Sequence, residues 1–388
     1  MTRFTIPRDV FMGDDAISHL KNIKGKKAYI VIGSERLKKD GTLGKVEGYL
    51  KEAGIESKVF IGVENDPSVQ TVKKGTAEML EYNPDWIIGI GGGSPIDAAK
   101  AMWLFYEYPE FTFEEAVKPF NLPELRKKAR FIGITTTSGT ATEVTSFSVI
   151  TDNETGIKYP IADFNLTPDI AIVDTNLVLT LTPKVVANTG LDVLTHAIEA
   201  YVSTMATPLT DALAMKAIEM TVENLEASYK EDMTARKNMH IAQNLAGMAF
   251  SNAILGIVHS MAHKTGDIFK IPHGLANAIY LSYAIEYNAK TAPEKYAEIA
   301  KQLRLEGSAD NELVQSLLTL IKRMRKDLGV PSSLQEFGID EADFLKRLPS
   351  IAKTAVADPC TGTNPRAIDD ATMENLYRAA YYGEKVNF

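Results

Sequence analysis

The chain has 388 residues, 45% of them hydrophobic and 24% charged, which are ordinary proportions for a globular enzyme. It is too long for one ordinary core, so two domains of roughly 150–200 residues each are expected. A net charge of -8 argues against nucleic acid or an anionic membrane as a partner. Cys360 is the only cysteine, so no intramolecular disulfide can form. With no apolar leader in MTRFTIPRDVFMGDD and no apolar run long enough to span a bilayer, the expected location is the cytoplasm.

The first half alternates short apolar runs with helical periodicity. Residues 28–32 (AYIVI), 57–61 (SKVFI), 85–90 (DWIIGI), 131–137 (FIGITTT) and 168–174 (PDIAIVD) read as strands. Helices are expected over 43–53, 68–82 and 95–106. Fully apolar strands separated by helices predict a parallel α/β sheet covered on both faces. After about residue 180 only helical segments follow, including 187–203, 211–227, 235–252, 311–328 and 341–354. The expected domains are therefore 1–180 and 181–388, with a site opening onto the cleft between them.

IGGGSPIDAAK, residues 90–100, follows a strand and opens a helix. The spacing places Ser94 as N-cap, Pro95 at the first helical position and Asp97 at the third. The dinucleotide pattern G-x-G-x-x-G is not met, because Ser94 or Ile96 stands where its last glycine belongs. A triple glycine exceeds what a tight turn needs, however, and points to a pyrophosphate on the helix start. In TTTSGTATEVTSFSVITD, residues 135–152, the hydroxyls of Thr136, Thr137 and Thr140 can donate to phosphate or ribose oxygens, or simply cap a loop. The turn GSERLKKDG, residues 33–41, has Gly33 and Ser34 where an acid would bond the adenosine ribose, with Arg36, Lys38 and Lys39 nearby. That favours the 2′-phosphate of NADP over NAD, with Glu35 as the counterweight.

Five of the six histidines fall between residues 196 and 273, and four of them, His196, His259, His263 and His273, lie in the two motifs LDVLTHAIEAY and GIVHSMAHKTGDIFKIPHG. Asp192 and His196 are four apart, as are His259 and His263, so each pair shares a helix face. A carboxylate converging with imidazoles is a divalent-metal set suited to iron or zinc.

Taken together, GGGSPIDAAK, TTSGTATEVTSFSVITD, the Asp192/His196 pair, HSMAHKTG…IPHG and the tail motif DPCTGTNPR resemble the iron-containing (group III) alcohol dehydrogenase family. Within it, the likeness is greatest to the clostridial NADPH-dependent butanol dehydrogenases. The resemblance implies a dehydroquinate synthase-like architecture: an α/β dinucleotide-binding domain followed by an all-helical metal-binding domain. It implies Fe2+, with zinc as the alternative, held by Asp192, His196, His259 and His273. It places His263 near the nicotinamide as proton relay without ligating the metal. Gly91, Gly92, Gly93 and Ser94 would hold the pyrophosphate with Asp97 close by, and Thr136, Thr137, Thr140, Val149 and Lys158 would line the nucleotide cleft. Gly33, where NAD-dependent members commonly carry Asp, strengthens NADP.

The implied reaction is reversible hydride transfer between NADP(H) and a primary alcohol or aldehyde such as butanol or butanal. The expected assembly is a homo-oligomer, a dimer or larger. Phe147, Phe250, Ile254 and Phe269 suit a small aliphatic chain. Rival readings are a zinc-dependent polyol dehydrogenase of the glycerol type, a dehydroquinate-synthase-like lyase, and a metal-dependent hydrolase. The lyase needs more basic residues than Lys264 and Lys270, and the hydrolase leaves the glycine-rich half without a task.

Overall fold

The computed structural model describes residues 2–153 and 157–388 and divides into two compact units, Met1–Thr180 and Leu181–Phe388. In the first unit the strands are β1 (Asp9–Gly13), β2 (Lys27–Ile32), β3 (Glu56–Ile61), β4 (Trp86–Gly91), β5 (Arg130–Thr135), β6 (Phe147–Asp152), β7 (Ile157–Ala162) and β8 (Ile170–Asp174). Six form one parallel sheet in the order β1-β8-β5-β4-β2-β3. β6 and β7 pair antiparallel as a separate hairpin.

The apolar runs become the inner strands, β2, β4, β5 and β8, whose residues are almost entirely buried. One face of the sheet packs on Val72 and Met79 of the helix Val69–Tyr82 and on Met102 and Trp103 of the helix Gly93–Glu107. The other packs on Val46 and Leu50 of the helix Thr42–Glu52 and on Ile17 and Leu20. From β2 the chain moves outward to β3, then crosses back to the far side of β2 for β4. The order thus reverses between β2 and β4, and ligands of such sheets bind outside the carboxyl ends of the strands at that reversal.

Three strands went unread in the sequence. β1 is a sheet edge whose residues are all at least partly exposed, and its apolar run is only the three residues Val10, Phe11 and Met12. β6 and β7 include Ser148, Thr151, Lys158 and Pro160, a composition that reads as loop.

The second unit is helical, with no strand among its described residues. Its longest helices are Pro183–Val202, Pro208–Tyr229 and Met233–Ala253, followed by Ile257–Phe269, His273–Asn288 and five more. Pro183 and Pro208 open their helices, where a missing N–H costs nothing. Leu191, Val193, Leu194, Ala197 and Ile198 bury one helix almost completely, which makes it a rigid mount for the polar residues between them. Met233–Ala253 and Ile257–Phe269 meet at 104°, and no single helix among the described residues is long and apolar enough to cross a membrane. The bend uses Ile254 at φ 63°, a conformation that is strained for a β-branched residue.

Candidate nucleotide and metal sites

In the first unit, three loops meet at the carboxyl ends of β2, β4 and β5. β4 ends at Gly91, whose φ of +151° excludes other residues, and a Cβ there would lie 2.7 Å from Pro95 Cγ. The following helix begins earlier than the spacing predicts. Gly92 is the N-cap and Gly93 the first helical residue, so Ser94, Pro95 and Asp97 take the second, third and fifth positions. Ser94 is therefore not the cap, and its Oγ accepts from the Asp66 N–H instead, at 3.3 Å. The glycines let the turn close without a side-chain cap, so no hydroxyl competes for the first amides of the helix. Those N–H groups and the helix dipole can meet an anion.

The Thr136 N–H donates to the Gly91 carbonyl at 2.8 Å. A Cβ on Gly92 would lie 3.3 Å from Thr137 Oγ1, and one on Gly93 3.3 Å from Thr140 Cγ2. Gly91, Gly92, Gly93, Ser94, Thr136, Thr137 and Thr140 are thus brought together. The Val149 N–H donates to Asp97, whose carboxyl is raised by burial against the pull of Lys100. Lys158 pairs with Asp66 at 2.7 Å, next to Ser94.

Lys100 adds a contact that the sequence motifs do not specify. It is fully buried, and its ammonium donates to the carbonyls of Thr142 (2.8 Å), Thr145 (2.6 Å) and Phe147 (3.0 Å). It therefore fastens the threonine loop to the glycine-loop helix. A lysine within AAKAMWLF was the available signal.

A Cβ on Gly33 would lie 3.2 Å from both Pro95 Cγ and the Val63 carbonyl, so this position abuts the glycine loop. Beyond it, Ser34, Glu35, Arg36, Lys39, Asp40 and Thr180 line a cavity of about 550 Å3. Arg36 donates to Thr180 Oγ1 at 3.4 Å and lies 3.9 Å from Asp40.

In the second unit, Asp192 and His196 lie one turn apart on the helix Pro183–Val202. His259 and His263 do the same on Ile257–Phe269, and His273 opens the helix His273–Asn288. Donor atoms of Asp192, His196, His259 and His273 all lie within 4.8 Å of one another. Asp192 Oδ1 is 3.9 Å from Nε2 of both His259 and His273. Donors about 2.1 Å from a common ion would lie roughly 3–4 Å apart, so the spacing fits a divalent metal.

The local hydrogen bonding points the same way. Asn277 Nδ2 lies 2.7 Å from Asp192 Oδ1, 3.0 Å from His259 Nε2 and 3.2 Å from His273 Nε2. Two amide hydrogens cannot serve three acceptors. His196 Nδ1 and Asn277 Oδ1 are buried with no hydrogen-bond partner among the described residues. The cluster is rich in lone pairs and poor in donors, which is what a cation requires. Burial lowers the pKa of His196, and burial together with the neighbouring imidazoles lowers that of His259 well below normal. Both therefore stand ready as neutral ligands. His273 is the most open of the four, with 43% of its side chain exposed.

Glu199, three residues after His196, joins the site without a sequence motif of its own. Its carboxylate takes the His259 Nδ1 at 2.5 Å and the Val258 N–H at 2.7 Å. Burial pushes it up to about 8, against the backbone N–H groups of Val258, Gly256 and His259. A cation beside His259 would oppose that rise.

His263 stands next to the cluster, with its ring stacked on His273 at 5.7 Å. Its Nδ1 is 3.1 Å from Asp358 Oδ2, which also meets Lys264 Nζ at 2.8 Å. Burial raises the Asp358 carboxyl, but the hydrogen bond and charge of His263 and Lys264 outweigh it and hold the group well below the carboxylate range. The same tail loop carries Cys360, whose thiol is pushed well up by burial and then by Asp358 and Glu199, so it is no ready nucleophile. Of the four apolar residues named for a substrate pocket, Phe250 lies at the cluster, stacked on His196 at 4.4 Å. Phe269 packs on Phe344 instead.

Residues 7–175 match the family described as iron-containing alcohol dehydrogenase, and 186–381 match the Fe-containing alcohol dehydrogenase family, C-terminal. The chain is 58% identical over 388 residues to an NADPH-dependent butanol dehydrogenase of Clostridium saccharobutylicum, covering 100% of both. Among solved structures it is similar to a 1,3-propanediol oxidoreductase (TM-score 0.92, 35% identity, 98% of this chain and 100% of that one). It is likewise similar to an iron-containing alcohol dehydrogenase of Thermococcus thioreducens (TM-score 0.91, 36% identity, 98% and 100%).

Proposed function

This chain belongs to the iron-containing alcohol dehydrogenase family, and from that premise we propose that it transfers hydride reversibly between NADP(H) and a small aliphatic primary alcohol or aldehyde of the size of butanol or butanal. The observation that carries this is the lone-pair-rich cluster of Asp192, His196, His259 and His273, whose donor atoms lie within 4.8 Å of one another. These four residues would hold Fe2+. When bound, the iron supplies a Lewis acid for the alcohol or aldehyde oxygen, and the nicotinamide gives or takes the hydride.

The remaining work falls to the protein's own groups. His263 holds and moves the hydroxyl proton, with Asp358 accepting from its Nδ1–H so that Nε2 is the exchanging atom. Phe250, stacked on His196, keeps one side of the cluster apolar, which suits an aliphatic chain better than a polyol. In the first unit, Gly91, Gly92, Gly93 and Ser94 take the pyrophosphate on the open helix start. Asp97 stands close by, and Thr136, Thr137, Thr140, Val149 and Lys158 line the nucleotide cleft. Gly33 offers no acid to the ribose, while Ser34, Arg36 and Lys39 edge a cavity that admits a 2′-phosphate.

The reading includes a homo-oligomer acting in the cytoplasm. β1 leaves one sheet edge open to pairing, and light scattering giving a monomer would overturn that part. For the reaction, the test is anaerobic oxidation of NADPH or NADH by butanal on Fe2+-loaded protein, repeated with Zn2+. Faster oxidation of NADPH with iron is expected. Preference for NADH would move the ribose contact to Glu35, and no turnover with either cofactor and either metal would overturn the proposal.

A further inference from the structure

Glu199 occupies a position that neither metal ligation nor nucleotide binding explains. It lies seven residues after Asp192 and three after His196, on the same face of the helix Pro183–Val202. It is 4% exposed, so the usual reason for a helical glutamate, solvation, does not apply. Its two oxygens have separate tasks. Oε1 accepts from the Val258 N–H at 2.7 Å, and Oε2 faces His259 Nδ1 at 2.5 Å.

Val258 is the second residue of the helix Ile257–Phe269, whose N-cap, Gly256, brings no capping side chain. Glu199 therefore caps that helix from another one. Gly256 is what admits it, because a Cβ there would lie 2.8 Å from Glu199 Oε1. The adjacent Ile257 N–H is served separately, by Asn364 Oδ1 at 3.3 Å.

Resting on the reading that Asp192, His196, His259 and His273 hold the metal, we propose that Glu199 is the positioning residue that sets this chain's metal affinity. It does so by holding His259 as the Nδ1–H tautomer, with the Nε2 lone pair turned toward the other three donors. Once a metal takes the Nε2 lone pair the ring hydrogen must sit on Nδ1, and the ionised Glu199 carboxylate, which can only accept, holds it there. Nε2 faces Asp192 Oδ1 at 3.9 Å. Because the same carboxylate caps the first turn, the ring and the backbone that carries it are fixed together.

Glu199→Gln separates the two tasks. With its amide oxygen on the Val258 N–H, the cap survives, but the amide NH2 faces Nδ1 and drives the ring hydrogen to Nε2. Reversing the amide restores the tautomer only by setting two donors against each other at the helix start. Asn364→Ala is the control: it removes the neighbouring cap contact and leaves His259 untouched.

The experiment is competition for Zn2+ between the metal-stripped full-length protein and a chromophoric chelator, with the thermal midpoint of each metal-free variant measured alongside. Wild type is expected to bind one Zn2+ per chain. Glu199→Gln should bind about 10–100-fold more weakly, and Asn364→Ala should lower the midpoint at least as far while keeping near-wild-type affinity. Zinc affinity in Glu199→Gln equal to wild type, or an equal loss of affinity in Asn364→Ala, would overturn the proposal. Failure of wild type itself to bind Zn2+ would instead count against the ligand set, so the two readings fail in different ways.

Discussion

His263 Nδ1 and Asp358 Oδ2 lie 3.1 Å apart, although 95 residues separate them. With the carboxylate accepting, the ring hydrogen sits on Nδ1, and Nε2 is the atom to which the proposed proton exchange is assigned. His263→Ala should therefore keep its metal while kcat falls about 100-fold, the low end for losing a general acid–base. Asp358→Asn should give a smaller fall, about tenfold, with metal also retained. Metal analysis beside steady-state rates checks both. Loss of metal from His263→Ala would make that residue a ligand and refute the assignment.

Removing a ligand has a different signature. His196→Ala deletes a donor from the cluster, so metal content and activity should vanish together. Elemental analysis of the purified variant measures the first and the butanal assay the second. Full metal with lost activity would mean that His196 does something other than bind metal.

The buried imidazoles also make stability depend on pH. The folded pKa values of His196 and His259 lie below the ordinary 6.5. As pH falls, the unfolded chain takes up these protons first. Their contribution is thus full above about pH 6.5 and declines below it, by at most about 1.4 kcal/mol per pH unit for each histidine. The raised Glu199 acts with the opposite sign between about 4.5 and 8. In the metal-free protein, thermal midpoints measured from pH 7.5 to 5.5 should fall less steeply for His196→Gln than for wild type. Identical slopes would show that His196 is not held neutral.

Cofactor choice can be tested at the cavity beyond β2. Arg36 lines it with Ser34 and Lys39, and no acid occupies position 33. Arg36→Ala should raise KM for NADPH about tenfold, roughly 1.4 kcal/mol, and leave KM for NADH unchanged. Equal changes for both cofactors would place Arg36 outside the 2′-phosphate contact.

What could be read from the chain follows from how local each signal is. β2, β4, β5 and β8 are buried on both faces, so their residues form plain apolar runs, whereas edge strand β1 has only three apolar residues in a row and the polar hairpin β6–β7 presents no such pattern. Ser94 was expected as a cap from serine's preference, but three glycines closed the turn sooner. The Asp192/His196 and His259/His263 pairs are visible because i, i+4 spacing survives in sequence, and the tail motif containing Asp358 was visible without its partner. Glu199 and Lys100 were not legible, since a charged residue in a helical pattern normally faces water. Only the packing of other helices and loops around them shows that they are buried and bonded.

The proposed activity depends on one metal held by Asp192, His196, His259 and His273. The most direct measurement is an anaerobic titration of metal-stripped protein with Fe2+, following NADPH oxidation by butanal. Activity should start near zero and rise linearly to a plateau at one Fe2+ per chain, and Asp192→Ala should stay flat throughout. Full activity in the stripped protein, or the same titration curve from Asp192→Ala, would rule out this metal dependence.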